Sequence, residues 1–142
     1  MILDVDIGNS RVKWRLLSGR GCVLKSGICD TVGALIAVLD ASEGIERSRV
    51  SCVSQAQQLD DLTRWLQQEN GVTCELARAS ARAGGITNAY ERPEQLGIDR
   101  WLAIVGAHAL VAEPFVVIDA GSALTIDAVV PGGCHLGGYI IP

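Results

Sequence analysis

The chain has 142 residues, the length of one ordinary domain and too short for two of full size. Its 12 Lys and Arg residues against 16 Asp and Glu give a formal net charge of −4, and only 4% of its residues are aromatic. Nucleic-acid binding draws on a basic surface or on aromatic stacking, so this composition argues against a nucleic-acid partner. A hydrophobic content of 49% excludes a disordered chain.

The cysteines and the hydropathy pattern indicate a cytoplasmic protein. The chain has five cysteines, an odd number, and no two of them form a Cys-x-x-Cys pair. This predicts buried free thiols rather than disulfides or a zinc site. Acidic residues interrupt the apolar run at the N-terminus, so no secretory signal is expected there. The most apolar stretch, residues 101–112, is shorter than a membrane span, and we expect no membrane partner.

In chain order, the first part predicts a three-stranded meander and then alternating helices and strands. Val12 and Trp14 alternate with polar residues, as in a strand with one buried face. Asp30 or Thr31 can cap the first helix, and Gly71 follows the end of the second. The predicted elements are strands over 1–7, 11–17 and 22–28, a helix over 31–41, a strand over 49–54, a helix over 55–70 and a strand over 72–76.

The second part predicts a loop, a long helix and a second meander. The loop covers 79–90, Pro93 opens the helix, which runs to about residue 112, and an apolar strand covers 115–118. The order βββαβαβα, followed by three more strands, is that of an α/β domain. The helix carries one apolar stripe, made of Ile98, Leu102, Val105 and Ala109.

An internal repeat suggests a duplicated domain. Residues 2–10 and 115–122 both form an apolar strand that ends in Asp-x-Gly and a small polar residue. Each copy continues through a second strand to a Gly-Cys turn, and a glycine recurs in the third strand, at Gly27 and Gly138. We therefore predict an N-terminal domain over 1–114 and the opening strands of a second domain over 115–142.

The Asp-x-Gly hairpins are suited to phosphate chemistry. An aspartate at a strand end places a carboxylate at the edge of a cleft, and the glycine lets backbone N–H groups approach a phosphate. Two such hairpins can hold the phosphates of a nucleotide and a divalent metal. Neither a P-loop nor a Gly-x-Gly-x-x-Gly pattern occurs. Lys13 follows the first hairpin on the face opposite Trp14, where it is either a solvated strand lysine or a phosphate ligand.

Four segments resemble motifs of the type III pantothenate kinase family, also named after the Bvg accessory factor. They occur in the order and spacing of that family and cover the whole chain, which corresponds to the N-terminal portion of the family. In the third segment Ser122 stands where the family commonly has Thr, and it keeps the hydroxyl. The segments are DIGNSRVKW at 6–14, GIDRW at 97–101, DAGSALTID at 119–127 and GGYIIP at 137–142.

This resemblance implies a fold and an activity. The fold is the acetate and sugar kinase/Hsp70/actin-like one, related to ribonuclease H, with two duplicated domains. The activity is ATP-dependent phosphorylation of pantothenate to 4'-phosphopantothenate, the first step of coenzyme A biosynthesis. The resemblance also implies a homodimer, a monovalent cation (potassium or ammonium) and Mg²⁺ carried with the nucleotide.

The resemblance also assigns roles to individual residues. Asp99 is the general base and Asp119 binds the monovalent cation. The residues implied to contact ATP are Asp6, Gly8, Asn9, Ser10, Lys13, Gly121 and Ser122. The residues implied to contact pantothenate are Tyr90, Gly97, Ile98, Asp99 and Arg100.

These roles agree with elementary chemistry, although each residue also has a structural interpretation. A hydroxyl that attacks a γ-phosphoryl group needs a positioned carboxylate to take its proton. Asp99 lies in the first turn of the predicted helix, where the helix dipole keeps a carboxylate ionised. Arg100 offers a planar fork for an anionic group. Without the resemblance, Asp99 would be interpreted as a helix cap and Arg100 as a surface ion pair.

Two alternative functions stay open at this point. One is a non-catalytic accessory or regulatory protein of the same fold, and the other is a kinase of the same superfamily that acts on another small hydroxylated substrate. The presence of Asp6, Lys13 and Asp99 together favours catalysis. Because the family's adenosine-binding half lies beyond these motifs, we expect the 142 residues by themselves to be inactive.

Overall fold

The computed structural model describes residues 1–39, 44–53, 55–111 and 113–142. The chain divides into two compact units, 1–77 and 78–142. The elements of the first unit are β1 (Ile2–Ile7), β2 (Val12–Leu17), β3 (Val23–Cys29), α1 (Val32–Val38), β4 (Arg47–Cys52), α2 (Ala56–Asn70) and β5 (Cys74–Leu76).

The first unit is built on one five-stranded mixed sheet with the strand order β3-β2-β1-β4-β5. Strand β1 pairs antiparallel with β2 and parallel with β4, which in turn pairs parallel with β5. The antiparallel pairs follow from the short turns between β1, β2 and β3. The parallel pairs need the longer crossovers that α1 and α2 provide.

One face of this sheet forms the hydrophobic core of the first unit. The predicted alternation of β2 is confirmed, because Val12, Trp14 and Leu16 are buried and the residues between them are exposed. Gly27 on β3 pairs with Trp14 on β2. A Cβ atom at Gly27 would lie 2.8 Å from the indole Nε1 of Trp14, so this position has no room for a side chain. The core is completed by Leu3, Val5, Ile7, Val32, Leu35, Val50, Leu62 and Leu66.

The helix ends of the first unit agree with the capping signals. Thr31 caps α1, because its Oγ1 accepts the N–H of Ala34 at 3.1 Å. Gly71 ends α2 in the left-handed conformation, with φ of 66°. Helix α1 ends at Val38, and the last residues of its predicted range lie outside the described residues. The predicted strand over 49–54 begins two residues earlier, at Arg47, and residue 54 lies outside the described residues.

The second unit is built on another five-stranded sheet, with the order β6-β7-β10-β9-β8. The order β10-β9-β8 repeats the order β3-β2-β1 of the first sheet, in agreement with the sequence repeat. Its core contains the side chains of Ile86, Leu96, Trp101, Ile104 and Val129. The elements are β6 (Arg82–Ala83), β7 (Ile86–Thr87), a 3-10 turn (Pro93–Gln95), α3 (Ile98–Leu110), β8 (Phe115–Ala120), β9 (Leu124–Val130) and β10 (Cys134–Ile141).

Two sequence predictions for this unit were wrong. The predicted loop over 79–90 contains the short hairpin β6–β7, which its Gly84–Gly85 turn allows. The predicted helix from Pro93 is interrupted, because Leu96 leaves the helical conformation and buries its side chain before α3 begins. The helix therefore starts at Ile98, and the end predicted at residue 112 lies outside the described residues.

The apolar stripe predicted on α3 also differs from the buried one. Trp101 and Ile104 are buried against the sheet, whereas Leu102 is 42% exposed. All five cysteines are free, as predicted, but none is fully buried: Cys22 and Cys134 are exposed, and Cys29, Cys52 and Cys74 are half-buried. The prediction of a domain boundary at 114 rests on the repeat and stays a prediction. In the part of the chain that the structure describes, no helix has the length and apolar character needed to cross a membrane.

Candidate active site

The first predicted phosphate hairpin presents its polar residues on the sheet face opposite the core. Asp6 pairs in register with Lys13 on β2 and with Ser51 on β4. The Ser51 hydroxyl donates to the Asp6 carboxylate, with 2.9 Å between Oγ and Oδ1. Lys13 is exposed on this face, as predicted. One row across β2, β1 and β4 therefore carries an ammonium, a carboxylate and a hydroxyl.

The turn of this hairpin is closed by Gly8. Its backbone N–H donates to the carbonyl of Arg11 at 3.0 Å. A Cβ atom at this position would lie 3.1 Å from the same carbonyl oxygen, which is tighter than ordinary packing. Asn9 and Ser10 form the exposed tip. The glycine thus allows a close turn that brings the tip directly after the strand that carries Asp6.

Two glutamines link this turn to the helices of the first unit. The side-chain amide of Gln55 donates to the carbonyls of Gly8 and Asn9, at 3.4 and 3.0 Å. Gln58 donates to the Gln55 side chain at 2.5 Å and accepts the N–H of Val32, at the start of α1, at 2.8 Å. The hairpin is therefore anchored through side chains at the N-terminal end of α2. Sequence analysis did not identify this role, because glutamine has no characteristic position next to such a hairpin.

Below Asp6 on the same face, Asp4 forms a separate ion-pair cluster. It pairs in register with Arg15 and Arg49. Nε of Arg15 donates to Oδ2 of Asp4 at 2.8 Å, and Arg49 makes two contacts of 2.6 and 2.8 Å. One carboxylate thus pairs with two arginines and neutralises half of their positive charge.

The predicted general base lies at the start of α3. Asp99 is exposed, and its Oδ1 accepts the backbone N–H of Arg100 at 2.8 Å. A Cβ atom on Gly97 would lie 2.7 Å from Asp99 Oδ1. The glycine is needed because the carboxylate folds back over residue 97. The first turn of a helix has N–H groups without intrahelical partners, and the Asp99 carboxylate accepts one of them.

The neighbouring Arg100 points inward and forms a buried ion pair with Asp127 on β9. Its Nε donates to Oδ2 at 2.9 Å and its Nη2 to Oδ1 at 2.6 Å. The two side chains are only 7% and 2% exposed. Arg100 is therefore not the surface ion pair that its residue type alone would suggest.

A histidine completes this pair. Nε2 of His135 lies 3.0 Å from Asp127 Oδ1, and Nδ1 accepts the N–H of Ala89 at 3.4 Å. Because Nδ1 is an acceptor here, the network fits a neutral imidazole whose Nε2–H donates to the carboxylate. Burial raises the pKa of Asp127, but the hydrogen bonds from Arg100 and His135 outweigh it and hold that pKa below its usual value. The hydrogen bond to Asp127 raises the pKa of Arg100, against the effect of burial.

Tyr90 joins the same network. Its ring stacks on His135, with the ring centroids 6.3 Å apart and 19° between the planes. Its phenol lies near Arg100 and contributes to the raised pKa of that guanidinium. Its backbone N–H donates to Asn88 Oδ1 at 3.0 Å. Two of the predicted pantothenate residues, Tyr90 and Arg100, are thus neighbours in this network.

The second hairpin repeats the turn geometry of the first. Asp119 is exposed near the end of the edge strand β8, in register with Thr125. The N–H of Gly121 donates to the carbonyl of Ala123 at 3.0 Å, as Gly8 donates to Arg11. Ser122 is at the exposed tip. Gly121 and Ser122 therefore correspond to the Gly8 turn and its tip.

The predicted site residues thus form three groups. Asp6, Gly8, Asn9, Ser10 and Lys13 share one hairpin of the first unit. The second group lies in the second unit at the start of α3 and contains Gly97, Ile98, Asp99 and Arg100, with Tyr90 beside Arg100. The third group shares the other hairpin and contains Asp119, Gly121 and Ser122.

Sequence analysis missed two members of the buried network. Asp127 ends the motif at 119–127 but has no predicted role, and His135 follows Cys134 without a second histidine or close cysteine pair that would indicate a metal site. No periodicity pairs residues that are eight positions apart on neighbouring strands. Among the described residues, no group of three or more His, Cys, Asp or Glu side chains is arranged to hold a metal ion.

Comparison with known proteins places the chain in a family. A sequence model described as type III pantothenate kinase matches residues 2–142, and so includes all four motif segments. The chain belongs to the type III pantothenate kinase family. This confirms the resemblance that the motifs indicated.

Two curated members show the extent of the similarity. A type III pantothenate kinase of Pseudomonas aeruginosa (strain LESB58) is 37% identical over 144 residues, which cover 100% of this chain and 58% of that protein. A type III pantothenate kinase of Chromohalobacter salexigens is 40% identical over 148 residues and is covered to 51%. The chain thus spans a little over half the length of these family members.

Solved structures support the fold. A protein from Sinorhizobium meliloti, assigned as a 2-dehydro-3-deoxygalactonokinase, matches 99% of this chain and 54% of its own, with a TM-score of 0.54. At 13% identity this is a likeness of fold alone. It confirms the predicted α/β fold of the acetate and sugar kinase/Hsp70/actin-like class.

Proposed function

We propose that the protein phosphorylates pantothenate with ATP to give 4'-phosphopantothenate, the first step of coenzyme A biosynthesis. The observation that carries this proposal is the family match over residues 2–142, which includes both Asp-x-Gly hairpins and the Gly-x-Asp-Arg segment. The exposed carboxylate of Asp99, fixed at the start of α3, supports it with a group of the right chemistry.

In the proposed reaction, Asp99 acts as the general base. The primary hydroxyl of pantothenate loses its proton to the Asp99 carboxylate, and its oxygen attacks the γ-phosphorus of ATP. The bond between the γ-phosphorus and the oxygen bridging to the β-phosphate breaks, and ADP leaves with that electron pair. Lys13 supplies positive charge for the phosphate oxygens, since it is exposed beside Asp6.

ATP contacts are proposed for both hairpins. The chemistry of Asp6, Asn9, Ser10 and Ser122 suits phosphate and its Mg²⁺ ion, because they offer carboxylate, amide and hydroxyl groups at exposed or partly exposed positions. Gly8 and Gly121 close the two turns. When bound with ATP, Mg²⁺ would neutralise charge on the phosphate oxygens.

A monovalent cation is proposed at Asp119. An exposed carboxylate beside a turn offers oxygen ligands of the kind that hard cations prefer. The described residues fit such a cation better than a divalent ion held by protein alone, since no cluster of three acidic or metal-binding side chains is present among them. Potassium and ammonium are the two candidates that the family resemblance suggests.

Pantothenate contacts are proposed for Tyr90, Gly97, Ile98 and Arg100, together with the base Asp99. We further propose a cytoplasmic homodimer in which α3 contributes to the contact between subunits. Leu102 and Leu110 support this, because they are 42% and 87% exposed on that helix.

The proposal is tested by assaying the protein at its full natural length with ATP and pantothenate. The expected result is ADP formation that depends on pantothenate, yields 4'-phosphopantothenate by mass, and increases when potassium or ammonium replaces sodium. If ADP forms only with another hydroxylated acid or a sugar, the substrate assignment is wrong. If ATP is not consumed with any of these acceptors, the protein is a non-catalytic member of the fold.

A further inference from the structure

Asp127 and His135, two members of the buried network, have no role in the proposed chemistry. Its carboxylate receives hydrogen bonds from Arg100 Nε, Arg100 Nη2 and His135 Nε2, at 2.9, 2.6 and 3.0 Å. The side chain of His135 is 0% exposed and that of Asp127 is 2% exposed. Removing charged groups from water costs free energy, which can offset the attraction between them. A buried ion pair is therefore not explained by its contribution to stability alone.

The local backbone is arranged to permit this network. His135 and Gly138 are three residues apart on β10, and a regular strand would place them on opposite faces. The register shifts between His135 and Gly137, where Leu136 is exposed, so both residues face the core side. Gly138 pairs with Asp127, and a Cβ atom there would collide with the Asp127 carboxylate and with Arg100.

Asp127 and His135 contact two of the side chains that are proposed to hold pantothenate, Arg100 and Tyr90. Asp127 takes two of the five N–H donors of the Arg100 guanidinium. His135 bonds to Asp127 through one edge and stacks its ring on Tyr90. Asp127 and His135 thus fix the orientation of Arg100 and Tyr90 together.

We propose that Asp127 and His135 are positioning residues for pantothenate, which hold the guanidinium of Arg100 and the ring of Tyr90 in the orientation that binds it. This inference rests on the proposed function. Arg100 binds a planar anionic group only when its fork is correctly oriented, and a buried bidentate partner removes the freedom that binding would otherwise have to remove. Neither Asp127 nor His135 contacts the substrate in this proposal.

The test compares three variants with the wild type at full natural length. We expect Asp127→Asn and His135→Leu to raise the KM for pantothenate about tenfold or more, while the KM for ATP stays within twofold. His135→Gln retains an N–H donor near the position of Nε2, so its KM should lie between those of His135→Leu and the wild type.

Two control variants separate positioning from general destabilisation. Val129→Ala lies on the same strand and core face as Asp127 and truncates a buried side chain, so it should lower the melting temperature without changing the KM for pantothenate. Glu75→Gln removes the charge that pairs with Arg47 in an exposed ion pair of the first unit. It should change neither the melting temperature nor the KM for pantothenate.

The outcomes are distinguishable. If the wild type phosphorylates pantothenate and folded His135→Leu keeps a normal KM for it, the network is only structural and the inference is wrong. The inference is also wrong if the Asp127 and His135 variants raise the KM for ATP as much as the KM for pantothenate. It is equally wrong if Val129→Ala raises the KM for pantothenate. If Asp127→Asn does not fold, the two His135 variants decide. If the wild type does not phosphorylate pantothenate, the proposed function fails and the inference fails with it.

Discussion

At the scale of single residues, Asp99 is held in place by its neighbours. The carboxylate is exposed, accepts the N–H of Arg100, and lies over Gly97, where a side chain would leave no space for it. A helix cap and a general base differ in what they require of this side chain, because only a base must accept a proton. The next residue, Arg100, is turned inward, so adjacent positions of one motif have opposite surroundings.

The first prediction concerns this base. Asp99→Asn should lower kcat about a hundredfold or more, because an amide cannot accept the proton of the attacking hydroxyl. Pantothenate binding should persist, since the amide has nearly the same shape. Steady-state kinetics and calorimetry at full natural length measure the two effects. Wild-type kcat at saturating substrate would show that Asp99 only caps the helix.

The second prediction concerns the response of Asp127 to pH. Its pKa in the folded state is below the usual 3.8, so it adds stability above that pH and loses the contribution as the pH falls through its folded-state pKa. Asp127→Asn leaves the buried Arg100 without a charged partner. We expect this variant to lower the free energy of unfolding by about 3–5 kcal/mol at neutral pH.

Thermal unfolding of the wild type and of Asp127→Asn, at pH values from neutral to about 2, measures how their difference in stability depends on pH. The gap in melting temperature between the wild type and Asp127→Asn should be widest at neutral pH and should narrow below about pH 4. A gap that is constant with pH would show that the charge of Asp127 is not what stabilises the fold.

At the scale of elements, the first hairpin depends on a helix that follows it by almost fifty residues. Gln55 reaches the carbonyls of Gly8 and Asn9 from the residue before α2, and Gln58 links Gln55 to the start of α1. The conformation of the turn is thus determined partly by side chains outside the hairpin.

The third prediction follows from this contact. Gln55→Ala should raise the KM for ATP about threefold to tenfold, because about two modest hydrogen bonds to the turn are lost. The KM for pantothenate should stay unchanged. The matched control is Gln57→Ala, since Gln57 bonds only within its own helix, to Asp61 at 3.1 Å. Equal kinetics for the two variants would show that the turn holds its conformation without Gln55.

At the scale of the whole molecule, the outer faces of the two sheets differ in chemistry. In the first sheet, the face opposite the core carries Asp4, Asp6 and their charged partners. In the second sheet, Val116 and Ile118 are 57% and 65% exposed, and the cross-strand row from Ile118 ends at Tyr139, which is 75% exposed. By the sequence repeat, these strand positions match Leu3 and Val5, which helices cover in the first unit.

The fourth prediction concerns association through this face. The chain should self-associate at micromolar concentration, because the exposed apolar side chains of Val116, Ile118 and Tyr139 favour burial. Light scattering should give a mass above the 15.0 kDa of one chain.

A double variant and a matched control test whether this face is responsible. Val116→Thr with Ile118→Thr should reduce the association, since threonine keeps a β-branched shape but adds a hydroxyl. Val23→Thr with Leu24→Thr changes two similarly exposed residues of β3 and should have a smaller effect. A monomeric wild-type chain that binds no dye specific for exposed apolar surface would contradict the prediction.

The sequence by itself determined the order of elements in the first unit, the core of that unit and the family. Alternation in β2, the cap at Thr31 and the stop at Gly71 are local signals, because each depends on residues within one turn or strand. The three groups of candidate site residues follow from contiguous motifs for the same reason.

Only the tertiary structure decided which of these residues are buried together and what supports them. The pairing of Arg100 with Asp127, and the anchoring of Gly8 by Gln55, join residues that are 27 and 47 positions apart. No periodicity spans such a distance, since strand register, a bulge at Leu136 and the break before α3 must all be in place first. These contacts therefore depend on long-range packing, which a local pattern does not encode.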